Sequence, residues 1–169
     1  MSGEYSPSLM REGCIMHDDY FFISNKMTAN LEFYIDRVKT LEEFEQKFPP
    51  EFLKDDAHVG NYLDELLRKY DRRASAVSER AGLATSYVGN IINGRKLNPS
   101  RDALIAICFA IGTELKEVQY LLKYAGQAPL YVRRRRDVII WFGFMKSMDL
   151  DEVDEKLKER GYTPLVKGM

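Results

Sequence analysis

Between residues 82 and 100 the chain reads GLATSYVGNIINGRKLNPS, and its polar side chains are of kinds that hold and read a partner rather than react with one. Val88, Ile91 and Ile92 stand at i, i+3 and i+4, so a short helix can bury that side and leave Thr85, Ser86, Gly89, Asn90 and Asn93 on the other. Short, uncharged polar side chains suit a helix laid in a major groove, because Asn pairs with adenine while Ser and Thr donate to or accept from either base type. Tyr87 lies in the same window, and Arg95 and Lys96 follow it directly. Arg72 and Arg73 stand just before the preceding helical stretch. Cations so placed neutralise phosphates and fix register while the helix face chooses sequence. A double-stranded DNA interface is expected from these ten residues. Gly89 has two readings: close approach of the backbone to DNA, or close packing on the preceding helix.

Reactive chemistry has few candidates. Cys14 and Cys108 are 94 positions apart, which gives neither a CxxC site nor a disulfide framework. Cys14 and His17 form a C-x-x-H spacing, but zinc needs further N or S ligands and the other histidine is His58. No Gly-rich phosphate loop and no Ser, His and Asp constellation is present. The expectation is no catalytic residue, no metal site, no cofactor and no enzyme.

The net charge of −1 conceals a gradient. Residues 1–67 carry six cations against fourteen acids, whereas 68–101 carry eight cations against Asp71 and Glu79, a local excess of +6. Such asymmetry points to a polyanionic partner more directly than a whole-chain isoelectric point does. The longest apolar run, VIIWFGFM at 138–145, is far short of the roughly 20 residues that span a bilayer. The N-terminal stretch has acids where a signal peptide would have cations. A cytoplasmic protein without a membrane partner is expected.

The elements that must position these side chains read as helices. Residues 1–28 show no sustained period and form an arm, with Tyr20, Phe21, Phe22 and Ile23 as its apolar cluster. Residues 29–59 hold an amphipathic helix, with Leu31, Tyr34, Val38, Leu41 and Phe48 on one seam, and a linker begun by Pro49 and Pro50. From Gly60 to 131 the texture is of short helices punctuated by glycines, with Leu63, Leu66, Leu67 and Tyr70 on one face of the first. Gly82 separates two helices joined as a helix-turn-helix.

Residues 132–169 form a second helical hairpin that repeats 101–130. Setting 101–130 beside 136–165, offset by 35 without a gap, gives twelve identities in thirty positions, against about two by chance. Each copy has an apolar helix, a turn near Gly112 or Ser147, a second helix with an acid in its first turn, a glycine suited to a left-handed helix end, and Pro-Leu. The run VIIWFGFM is apolar on every side, so Ile140, Trp141, Phe142, Phe144 and Met145 are expected to pack within the chain or form an association surface for a homodimer. The preceding Arg133, Arg134, Arg135 and Arg136 read either as a phosphate clamp or as a solvated run paired with the acids of 149–155.

The stretch SAVSERAGLATSYVGNIINGRKLNPSRDALIAICFAIG resembles the phage-repressor-like helix-turn-helix family of XRE or Cro type. Val77, Ala81, Leu83, Val88 and Ile91 match that family's apolar positions, Gly82 its inter-helix turn, Gly94 with Arg95 and Lys96 the turn after the recognition helix, and Pro99 the start of the next helix. The resemblance covers about residues 60–125. It departs at Ala84, where the family often has a capping Ser or Thr, leaving Thr85 or Ser86 to cap, and at Ile92, where Glu is frequent. With no Arg or Gln between Ser86 and Asn93, bidentate readout is limited and part of the specificity is indirect. The resemblance implies an all-α, repressor-like helix-turn-helix bundle that regulates transcription as a dimer on an operator. The alternative is a helical adaptor or antitoxin-like partner protein using the same scaffold without specific DNA readout. The sequence leaves open whether a small-molecule effector binds.

Overall fold

The computed structural model describes residues 33–47 and 59–166. Among them the regular structure is helical, with no strand, so the all-α expectation holds. No helix among them is long and apolar enough to cross a membrane. The chain divides into two compact units, 1–54 and 55–169. The arm at 1–28 with its aromatic cluster, and Cys14, His17, Leu31, Phe48 and His58, lie outside the described residues.

In the first unit the expected continuous helix is broken. A helical turn at 33–35 gives way to a turn and bend at 36–40, and helix α1 begins anew at Leu41–Lys47. The cause is local: the Glu43 N–H donates to Thr40 Oγ1 at 3.2 Å while the Lys39 N–H, one residue before Thr40, donates to Glu43 Oε2 at 3.2 Å, and the Thr40 bond caps a new helix start. The restart rotates the seam, so Phe44 is buried and Leu41 is 65% exposed.

The second unit holds α2 (Val59–Lys69), α3 (Ala74–Arg80), α4 (Tyr87–Ile92), α5 (Arg101–Ile111), α6 (Leu115–Tyr124), α7 (Arg135–Met145) and α8 (Leu150–Glu159). α5 is its centre, flanked by α3, α6 and α8. Its start is set by Ser100, whose side chain accepts the Ala103 N–H, and almost every residue from Ala103 to Ile111 is buried. Leu63 and Leu66 of α2 and Leu104, Ile105 and Ile107 of α5 are fully buried, each stabilising by about 1.5–3 kcal/mol. α2 is tied to α6 by Glu117, a buried carboxylate that accepts from Lys69 Nζ at 2.6 Å, the Tyr70 hydroxyl at 2.7 Å and the Glu114 N–H at 2.9 Å. Burial, then Glu117 itself, holds the Tyr70 phenol well above its ordinary value near 10.

The duplicated segments form two hairpins, α5–α6 and α7–α8, alike in detail. Both second helices open with a capping box, Glu114 with Glu117 and Asp149 with Glu152, and both end before a left-handed glycine, Gly126 and Gly161. Leu130 and Leu165 of the two Pro-Leu pairs are buried. Arg101 clasps Asp137 at 3.0 and 2.8 Å, while Arg136 clasps Asp102 at 2.9 Å through both nitrogens. The two guanidiniums also donate through Nε to equivalent carbonyls, Ala128 at 2.7 Å and Thr163 at 3.0 Å. α5 packs on α8 as α7 packs on α6. Crosswise contacts of this kind relate the copies by an approximate two-fold axis, as in an isologous dimer, and not by the translation of a solenoid. Arg136 is thus neither a phosphate clamp nor a partner of the acids at 149–155; it joins the hairpins.

Candidate nucleic-acid interface

α3 and α4 are joined through Gly82, which sits at φ +65°, a region that disfavours any residue with a Cβ. The Gly82 N–H donates to the Glu79 carbonyl at 3.0 Å and the Leu83 N–H to the Ser78 carbonyl at 2.9 Å, closing the turn. Ser78 is fully buried and works twice more: its hydroxyl donates to the Ala74 carbonyl at 2.8 Å and accepts the Val88 N–H at 3.1 Å. This ties the first turn of α4 to α3. Sequence reasoning passed over Ser78 because nothing local distinguishes a buried bridging hydroxyl from an exposed serine. Val88 and Ile91 are fully buried, and α4 packs on α2 and α3.

With that side inward, Ser86, Gly89, Asn90 and Asn93 share the opposite side of α4, at the i, i+3, i+4 and i+7 spacing of one helix face. Ser86 and Asn93 are exposed and Asn90 is half-buried, its amide 3.5 Å from Ser86 Oγ. A Cβ built on Gly89 meets nothing within 4 Å, so the packing explanation for this glycine falls away and its backbone faces open space. The expected side-chain cap is not formed. Ser86 occupies the N-cap position in αR geometry without a side-chain bond to the helix's backbone N–H groups, and the Thr85 hydroxyl donates instead to Glu79 Oε1 at 3.1 Å.

The cations divide. Arg95 is exposed, and Lys96 lies over the Tyr87 ring at 4.8 Å from its centroid, which fixes the ammonium beside α4. Arg73 is exposed at the N-cap position of α3. Arg72 departs from the clamp role, since its Nε donates to the Ile111 carbonyl at 3.3 Å, where a cation suits the C-terminus of α5.

The expected association residues also divide. Ile140 is fully buried, and Phe144 stacks on Phe109, so both pack within the chain. Trp141 is half-buried, while Phe142 and Met145 are 55% and 63% exposed. The all-round apolar character of α7 therefore reflects an inner side against the other hairpin and an outer side facing solvent. Beside the start of α7 an open groove of about 480 Å³ is lined by Val132, Val138 and Ile139 together with Arg133, Arg135 and Arg160.

Among the described residues no group of three or more His, Cys, Asp or Glu could hold a metal ion. Cys108 is a free, buried thiol that burial pushes up to about 12, which leaves little thiolate near neutrality. No family model matches the chain, and no curated protein or solved structure matches it either.

Proposed function

We propose that the chain is a non-enzymatic, sequence-specific regulator that binds duplex DNA, with α3 and α4 acting as a repressor-like helix-turn-helix and α4 as its recognition helix. The observation that carries this reading is the outer side of α4. An uncharged polar face of Ser86, Asn90 and Asn93, opened to the backbone at Gly89, is flanked by Arg95 and Lys96. Thr85 and Tyr87 border that face, and Arg73 adds a cation at the start of α3. In this reading Trp141, Phe142 and Met145 pair two copies, so that two recognition helices meet two half-sites one helical turn apart. The exposed Phe142 and Met145 also support a second reading, a helical adaptor or antitoxin-like protein that uses α7 to grip a protein partner.

Titration against mixed-sequence duplex DNA at graded salt tests the first reading. Affinity falls steeply as salt rises, because several cations displace counterions together. Arg95→Glu with Lys96→Glu lowers affinity across all sequences and flattens the salt slope. Absence of any duplex binding by the full chain at low salt would leave the adaptor reading.

A further inference from the structure

The turn that aims α4 is not held by α3 alone. A Cβ at Gly82 would collide with Cγ1 of Val166 and lie within 3.5 Å of its Cβ and Cγ2. The side chain of Val166, from the tail that follows α8, stands where a side chain on the exposed Gly82 would begin. Gly82 therefore answers two demands, a left-handed backbone and room for a residue 84 positions away.

Hydrogen bonds and burial hold the tail on the way to that position. Arg136 Nε donates to the Thr163 carbonyl at 3.0 Å, Leu165 is buried, and the carboxylate of Asp154, itself buried on α8, accepts two successive backbone N–H groups. Leu165 donates to Oδ1 at 2.6 Å and Val166 to Oδ2 at 3.0 Å. The first repeat provides an internal comparison. Asp154 takes the place of Gln119, whose amide accepts one N–H, that of Leu130 at 2.7 Å, and donates to the Leu130 carbonyl at 3.0 Å. An amide oxygen and nitrogen grip one residue, whereas two carboxylate oxygens grip two in a row. The counterpart of Val166 is Tyr131, whose N–H goes instead to Asp137 Oδ2 at 3.0 Å and whose side chain is half exposed. The second tail thus differs from the first at the two positions that aim a side chain at the α3–α4 turn.

We propose that Val166 is a positioning residue for α4, a brace through which the second hairpin sets the turn of the α3–α4 pair; its consequence for DNA rests on the function proposed above. α4 has six residues, and no side-chain bond caps its N-terminus. A helix so short has little stability of its own and takes its orientation from what it packs on and from the turn that enters it. Val88 and Ile91 anchor the helix body, Ser78 its first turn, and Val166 the entry.

The test uses the full chain with Val166→Gly, which removes the side chain and keeps the N–H held by Asp154, and Val166→Thr, which restores its shape. Two readouts are taken: amide hydrogen exchange, and affinity for a fixed duplex. Exchange at Leu83 and Val88 accelerates about tenfold or more in Val166→Gly while α5 amides are unchanged, affinity drops about tenfold, and Val166→Thr returns both toward the parent. Unchanged exchange at Leu83 and Val88, an equal acceleration throughout the unit, or faster exchange with undiminished affinity would each overturn the proposal. If the parent chain binds no duplex, the DNA reading fails by itself, and the exchange profile alone decides whether Val166 braces the turn.

Discussion

Phe109 and Phe144, equivalent residues of the two hairpins, stack on one another with ring centroids 3.8 Å apart and planes 15° from parallel. A residue that touches its own repeat equivalent lies on the axis relating the copies. Each ring therefore depends on the other, and a double-mutant cycle reports it. Phe109→Ala and Phe144→Ala each destabilise, and the double variant loses about 0.5–1.5 kcal/mol less than the two combined, measured by urea unfolding. Additive losses would mean that the rings contribute only through separate burial.

The crosswise ion pairs look alike in sequence but differ in setting. Asp137 has a side-chain exposure of 3%, faces Arg101 and also accepts the Tyr131 N–H, whereas Asp102 has 37%. The two guanidiniums are about equally part-buried, so the carboxylates decide: Asp137→Asn removes a charge from a buried site and costs about 3 kcal/mol, whereas Asp102→Asn, partly solvated, costs about 1 kcal/mol or less. Urea midpoints of the two variants give the comparison, and equal losses would count against the difference in burial as its cause.

At Gly89 stability and binding are predicted to move in opposite directions. The open space around this residue means that Gly89→Ala relieves a helix-interior glycine and raises stability by up to about 1 kcal/mol. The added methyl stands on the face proposed to meet DNA, so affinity falls. Thermal unfolding and duplex titration of one variant check both arms, and a gain in stability with unchanged affinity would place DNA elsewhere.

Much of this was legible beforehand, for physical reasons that also explain the rest. Val88 and Ile91 were readable as an inner side because helical period alone assigns it. The duplication was readable from aligned identities, but its crosswise sense was not: the same alignment serves a translational stack, and only the reach of Arg101 to Asp137 and of Arg136 to Asp102 distinguishes them. Thr85 was misjudged as a possible cap because Glu79, six positions earlier, competes for its hydroxyl. The seam through Leu41 failed because the Thr40 hydroxyl caps a new helix start through the Glu43 N–H. Val166 was invisible as a brace, since its partner is a glycine in a distant turn.

Tyr70 sets an alkaline limit. Its folded-state phenol titrates above the value near 10 of the unfolded chain, so the folded form keeps a proton that the unfolded form releases. Stability from this group is complete below pH 10 and declines as pH rises beyond it. Tyr70→Phe removes a donor to Glu117 and begins about 1–2 kcal/mol less stable, yet loses less between pH 9.5 and 11. Urea midpoints across that window measure the two slopes; parallel slopes would show that Tyr70 titrates normally.

The reciprocity of the Arg and Asp pairs also bears on ancestry. Both copies carry the same dipeptide and both turn it toward the other copy, which is the arrangement expected if a single hairpin once recognised a second molecule of itself. Within one polypeptide that encounter is permanent rather than concentration-dependent. The linked copies need not stay identical, and they differ on their outer sides: Ile107 and Ala110 are covered, while their counterparts Phe142 and Met145 face solvent.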